Sequence, residues 1–161
     1  MARRTHAPAR GFTLIEALVT IAIVVILGAV ATPSFRQLIA NQRIKTASFD
    51  LFSALTYARS EAIQRNADVT LRAGAAVDGA WSTGWRVVDS SGNILRSWGA
   101  ISNLSVTEGA SVALLTFNRN GRPTAAPKLQ IASTVSASGV TARCIQISLS
   151  GRPTTATGNC P

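Results

Sequence analysis

Gly11-Phe12-Thr13-Leu14-Ile15-Glu16 opens an apolar run that reaches Pro33, and the reading of this stretch decides the fold. Arg3, Arg4 and Arg10 precede the glycine, and from Phe12 to Thr32 the one charged side chain is Glu16. At about 1.5 Å per residue, a helix over these positions spans roughly 30 Å, the thickness of a hydrocarbon core. The arginines lie on the amino-terminal side, so the positive-inside rule keeps the leader in the cytoplasm and sends the rest outward. A carboxylate inside such a helix costs roughly 2.5–3.5 kcal/mol even on the lenient insertion scale. A compensating partner for Glu16 is therefore expected.

One plainer reading competes with a membrane anchor. Ala29-Val30-Ala31 looks like the cleavage site of a secretory signal peptide. Against that, the apolar run is long for a signal core, contains Glu16, and continues into further helical pattern after Pro33. Glu16 has its own alternative, a glutamate snorkelling from the start of the helix toward the interface.

A short basic leader followed by GFTLIE resembles the processing site of type IV prepilins and type II secretion pseudopilins. The resemblance implies that the prepilin peptidase, a membrane aspartyl protease, cuts between Gly11 and Phe12 and methylates the new terminus at Phe12. Glu16 becomes the fifth residue. The rest of the chain resembles the minor-subunit branch that includes FimT, FimU and GspH. The implied partners are other pilin or pseudopilin subunits, packed through the amino-terminal helix, and an inner-membrane assembly platform. The implied location is the bacterial inner membrane, with the carboxy-terminal domain in the periplasm, and then a filament. Electrostatics fits this picture. A free ammonium at Phe12 and the Glu16 carboxylate one turn later can neutralise each other, within a subunit or between neighbours, offsetting desolvation and setting an axial register.

Length and charge bound the remainder of the chain. It has 161 residues and a formal charge of +9, and its length fits one modest domain plus an anchor. Loss of the leader removes three arginines, leaving 13 basic and 7 acidic side chains, a charge of +6. After Pro33 the pattern stays helical: Phe35, Leu38, Ile39, Ile44, Ala47, Leu51, Leu55, Ala58 and Ala62 recur at steps of three and four. Arg36, Arg43, Lys45, Arg59 and Arg65 fall largely on the other side. One long helix is expected from about Phe12 to about Arg65, hydrophobic all round in its first half and amphipathic in its second. Gly28 and Pro33 are its expected kink points.

From Asp68 onward the period changes. Val69–Ala73, Gly84–Asp89, Ile94–Trp98, Leu104–Thr107, Val112–Asn118, Lys128–Ser133 and Arg143–Leu149 read as strands, with turns at Ser90–Asn93 and Arg119–Gly121. Trp81, Trp85 and Trp98 are expected to plug the interface between helix and sheet. The predicted fold is α+β, a long amino-terminal helix packed on an antiparallel sheet. Its divisions are a leader at 1–11, a transmembrane and filament-core helix at 12–33, an amphipathic helix at 34–66, and a β domain at 67–161.

The tetrad Gly-Arg-Pro-Thr occurs twice, at Gly121–Thr124 and Gly151–Thr154. Each follows a strand pattern and reads as a turn, with glycine at a positive dihedral and proline stopping the pairing. Cys144 and Cys160 are the two cysteines, and an extracytoplasmic address permits a disulfide. It would close a loop of about 17 residues, a constraint worth roughly 3 kcal/mol. It would also tether the otherwise floppy segment Ser150–Asn159.

Arg152, Arg143, Arg119, Arg122 and Lys128 surround this region in sequence. A guanidinium beside the amides of Gly151 is a candidate phosphate cradle. The resemblance adds that minor pilins linked to DNA uptake use a carboxy-terminal Gly-Arg-X-Arg motif against DNA. Gly151-Arg152-Pro153-Thr154 matches its first two anchor positions and carries threonine in place of the second arginine. No aromatic interleaves the basic residues, so any contact with double-stranded DNA would be phosphate-directed and sequence-neutral. Solvated surface arginines are the competing reading. Catalysis has little to work with. The sole histidine, His6, lies in the leader, and neither a Walker-type loop nor GxGxxG occurs. No catalytic residue, metal site or cofactor is predicted.

Overall fold

A computed structural model describes residues 11–108, 113–135 and 138–161. The chain forms two units, dividing between Arg36 and Gln37. Helix α1 runs Leu14–Arg65, 52 residues, and its helical assignment continues through Gly28 and Pro33. It begins where Thr13 accepts a hydrogen bond from the Glu16 N–H at 3.3 Å, a side-chain cap on the first turn. It ends at Asn66, which takes a positive φ of 51°. Up to Arg36, the large apolar side chains of α1 are exposed, as expected of a surface meant for lipid or other helices.

In the second unit α1 buries one stripe. Ile44, Ala47, Leu51, Ala54, Leu55, Ala58 and Ala62 are inaccessible or nearly so. Eight strands follow: β1 Val69–Ala73, β2 Trp85–Val88, β3 Ile94–Trp98, β4 Leu104–Glu108, β5 Leu114–Phe117, β6 Lys128–Ser133, β7 Arg143–Ile147 and β8 Pro153–Thr157. They make two antiparallel four-stranded sheets, ordered β3-β2-β1-β5 and β4-β6-β7-β8. Both sheets feed one core, with Val69, Leu71, Val87, Leu115 and Phe117 from the first and Leu129, Ile131, Ile145 and Ile147 from the second. Alternation does the sorting: in β1, Val69, Leu71 and Ala73 point inward while Thr70 and Arg72 do not.

Trp85 and Trp81 are buried in this core as expected, whereas Trp98 is only half-buried. The Arg96 guanidinium lies 4.9 Å from the Trp98 ring centroid, a cation–π contact at the sheet edge.

The segment Ser150–Asn159 is not floppy. Its Pro153–Thr157 portion is β8, registered along the whole of β7 from Arg143↔Thr157 to Ile147↔Pro153. PTTAT has no large apolar residue to announce a strand; the ladder to β7 makes it one. The prolines of the two tetrads likewise do not stop pairing, since Pro123 bridges Phe117 and Pro153 pairs with Ile147. Proline at the first residue of an edge strand, or in a single bridge, gives up no ladder donor.

Nothing local in the sequence singles out Arg86, which is buried on the far side of β2 from the core. Its guanidinium donates to the Gly74 carbonyl at 2.7 Å, the Ala73 carbonyl at 3.3 Å, and Asp78 Oδ1 at 2.6 Å. Arg72 reaches the same carboxylate at 3.3 Å. The hydrogen bond from Arg86, and then that from Arg72, holds the Asp78 carboxyl below its ordinary range.

Candidate functional site

The hexapeptide Gly11–Glu16 sits at the start of α1. Gly11 has nothing within 4 Å of where a Cβ would stand, and Phe12 is 74% exposed. Glu16 is exposed in the first turn of the helix, where a carboxylate also suits the positive end of the helix dipole. Met1–Arg10, including His6, lie outside the described residues.

The second candidate site is built by the repeated tetrads. In the first, the Asn118 N–H donates to the Arg122 carbonyl at 2.9 Å and the Gly121 N–H to the Asn118 carbonyl at 2.7 Å. In the second, the Ser148 N–H donates to the Arg152 carbonyl at 3.1 Å and the Gly151 N–H to the Ser148 carbonyl at 2.8 Å. Each turn is also closed by a side chain. Asn118 Oδ1 accepts from the Arg122 N–H at 3.0 Å, and Ser148 Oγ accepts from the Arg152 N–H at 3.1 Å. Gly121 and Gly151 take φ of +71° and +80°, as their turns require. The two short sequences are thus one structure made twice.

They also meet. A Cβ on Gly151 would fall onto the Gly121 carbonyl oxygen, so the turns abut glycine to glycine. Arg59 lies against both. Its Nε donates to the Gly121 carbonyl at 3.2 Å and stands 3.1 Å from where a Cβ on either glycine would be. Around this junction Arg119, Arg122 and Arg152 are exposed and Arg59 is half-buried. Among the described residues none of the four has a carboxylate partner within ion-pair distance. Sequence reading missed Arg59, because a helix arginine 62 residues from Gly121 carries no local signal of the contact.

The other two candidates lie elsewhere. Arg143 starts β7, opposite Thr157, at the far end of that strand from Ile147 and the Ser148–Arg152 turn. A five-residue strand separates its ends by roughly 13 Å. Lys128 donates through Nζ to the Pro161 carbonyl at 2.8 Å. Cys144 and Cys160 are disulfide-bonded, with Cys144 fully buried, and the Cys160 N–H donates to Gln130 Oε1 at 3.0 Å. The bridge therefore fastens the end of the chain beyond β8 to the middle of its sheet.

An apolar helix behind the GFTLIE hexapeptide, leading into a helix stripe covered by two antiparallel sheets, defines a pilin-type subunit. Comparison with known proteins agrees. A model of the type II transport protein GspH matches residues 47–151, and one of the prokaryotic N-terminal methylation motif matches residues 7–32. The chain belongs to the GspH family. Its structure is similar to the type IV minor pilin FimU of Pseudomonas aeruginosa, with 27% identity, covering 71% of this chain and 89% of that one, at a TM-score of 0.60. It also shares the fold of EpsH, the minor pseudopilin of the Vibrio cholerae type 2 secretion system, with 12% identity, covering 71% of this chain and 96% of that one, at a TM-score of 0.54. No curated relative matches the sequence.

Proposed function

We propose that the protein is a structural or assembly-initiating subunit of a type IV filament, serving type IV pilus biogenesis or type II secretion. One observation carries this reading: the hexapeptide Gly11–Glu16 opens a helix whose large apolar side chains, Leu14 to Val30, are exposed among the described residues. The prepilin peptidase removes residues 1–11 and methylates Phe12. The helix at 12–33 waits in the inner membrane and then packs in the filament, displaying the domain of residues 34–161 on the periplasmic side. Glu16 pairs with the ammonium of Phe12, its own or a neighbour's, because an unpaired carboxylate in that setting is costly. Intact-mass measurement of the mature protein tests the processing. Loss of residues 1–11, gain of one methylene and loss of two hydrogens to the disulfide are expected. A new terminus at Thr32 would make the apolar run a signal peptide instead. Glu16→Leu is expected to abolish incorporation into filaments, and unchanged incorporation would remove the pairing role.

A second reading has its own support, the four arginines around the abutting turns that have no carboxylate partner among the described residues. In it the subunit binds double-stranded DNA at a pilus tip during uptake, through phosphate contacts from Arg119, Arg122, Arg152 and Arg59. Duplex binding should then weaken steeply with salt, and Arg152→Ala should flatten that dependence by about one phosphate contact. Affinity no greater than that of a neutral pilin domain would retire it.

A further inference from the structure

Four strands form the outer edges of the two sheets, β3 and β5 in one and β4 and β8 in the other. An open edge offers unpaired N–H and C=O groups to another strand, and folded proteins blunt it with charge, cover or a bulge. Three of the four are blunted. The chain at Arg122–Thr124 lies along β5, through the Phe117–Pro123 bridge and a bond from the Thr124 N–H to the Thr116 carbonyl at 2.9 Å. β3 carries Arg96, and its pairing with β2 is irregular at Val87 and Val88. β4 carries Glu108, and the short helical turn Trp81–Thr83 lies against it. β8 has none of these devices beyond the proline at its start. Pro153-Thr154-Thr155-Ala156-Thr157 has no charge, its register on β7 is unbroken, and every residue after the proline is exposed.

The ladder fixes which groups β8 shows. At one end the Ser148 N–H donates to the Arg152 carbonyl, and at the other the Gly158 N–H donates to the Ala142 carbonyl. Bonded pairs alternate along an antiparallel ladder, so Thr154 and Ala156 are the residues that bond β7. Pro153, Thr155 and Thr157 lie between them, and their main-chain groups point away from β7: three carbonyls and two N–H groups. Among the described residues these groups have no partner. The edge is also bracketed by cations. Arg152 is exposed immediately before Pro153, and Arg143 stands opposite Thr157, roughly 16 Å further along the strand. Neither has a carboxylate within ion-pair distance among the described residues.

We propose that the β8 edge takes an extended, acidic segment of a different filament subunit as a further strand of its sheet. The assignment rests on the filament-subunit reading and gives the domain a partner surface of its own. The outward groups of Pro153, Thr155 and Thr157 hold the segment's main chain, and its carboxylates meet Arg152 and Arg143 at the two ends. A second copy of this chain fits poorly. Pairing through its own β8 about a twofold axis at Thr155 would set Pro153, which has no N–H, opposite Thr157. It would also bring the arginines of two basic chains to one seam, where like charges repel.

The test is photo-crosslinking in cells making the full chain, with benzoylphenylalanine replacing Ala156 on β8, or Gln64 on α1 as a control position. Adducts from position 156 should map by mass spectrometry to one extended, acidic segment of a different subunit, and those from position 64 should not. Thr155→Pro removes an outward N–H and leaves the ladder to β7 whole. It should lower the adduct yield about fivefold while the Cys144–Cys160 disulfide, read on non-reducing gels, still forms. Thr157→Pro removes the other outward donor and repeats the test if the first variant does not fold. Arg152→Glu should also lower the yield, and exchanging the facing acid of the mapped segment for lysine should restore it. That charge exchange decides the matter if neither proline variant folds. Adducts to a second copy of this chain, to a helix or to DNA, no adduct, full yield in a folded proline variant, or no rescue by the exchange would overturn the proposal. An intact mass with the leader retained takes down the filament reading as well. A processed chain in the filament fraction without adducts from position 156 removes the strand assignment alone.

Discussion

The two halves of α1 are both rich in apolar residues, and they fare oppositely. Before Arg36, Leu18, Ile23 and Leu27 are all more than half exposed; after Gln37, Ile44, Leu51 and Leu55 are at or near zero. The difference lies in pattern. The first half has apolar side chains on every face, so no single sheet could cover it, and its cover has to come from lipid or from other subunits. The second half confines them to one stripe and sets Arg43, Lys45 and Glu61 away from it, so its own chain can finish the burial. Hydrophobicity alone does not say where a helix belongs. Its angular distribution does.

That contrast can be broken most forcefully by cavity formation. Leu51→Ala should cost the folded domain about 3–4 kcal/mol, whereas Leu18→Ala should stay within about 0.5 kcal/mol. Denaturant unfolding of the full chain in detergent, followed by tryptophan fluorescence, measures both, and equal losses would erase the distinction between the halves. Reducing Cys144–Cys160 should lower stability by about 3 kcal/mol, through a closed loop lying wholly within the sheet domain. The anchor's helicity, read by circular dichroism in detergent, should stay unchanged.

Glycine substitutions sharpen the same comparison inside the domain. Gly151→Ala meets both a positive φ and the Gly121 carbonyl, and should cost about 2–3 kcal/mol or unfold the turn pair. Gly158→Ala meets a positive φ but open space, and about 1 kcal/mol is expected. The smallest effect is acid sensitivity at Asp78. Its folded pKa is depressed by Arg86, so the contribution is present above the unfolded value of about 4 and fades as pH falls through the lower folded value. Asp78→Asn should flatten the acid limb of the stability profile slightly, and an unchanged limb would show that the loop is held without the carboxylate.

Most of the fold is legible in the sequence, for a physical reason. Val69–Ala73 and Lys128–Ser133 are bounded correctly because apolar and polar residues alternate between turn signals there, and Ile94–Trp98 because a short apolar-rich run lies beyond the Ser90–Asn93 turn. β8 escapes because Pro153-Thr154-Thr155-Ala156-Thr157 has polar and small side chains on both faces; its strand character comes from β7. The division of the strands into two sheets is not legible, because nothing local says which strands are neighbours. Sequence distance groups the basic residues near the second tetrad. The fold regroups them, keeping Arg119, Arg122 and Arg152, adding Arg59, and leaving Arg143 at the other end of a strand.

By itself the sequence determined the apolar first half of the helix, since the hexapeptide motif and the apolar run are local chemistry that a helix reads one turn at a time. It determined, too, that the Gly-Arg half of each tetrad would close a turn, because positive-φ glycines are set by the few residues around them. Only the tertiary structure decided that Gly121 and Gly151 would touch and that Arg59 would lie against both. Those are contacts between residues tens of positions apart, fixed by how two sheets share one helix stripe, and no short window of sequence contains them.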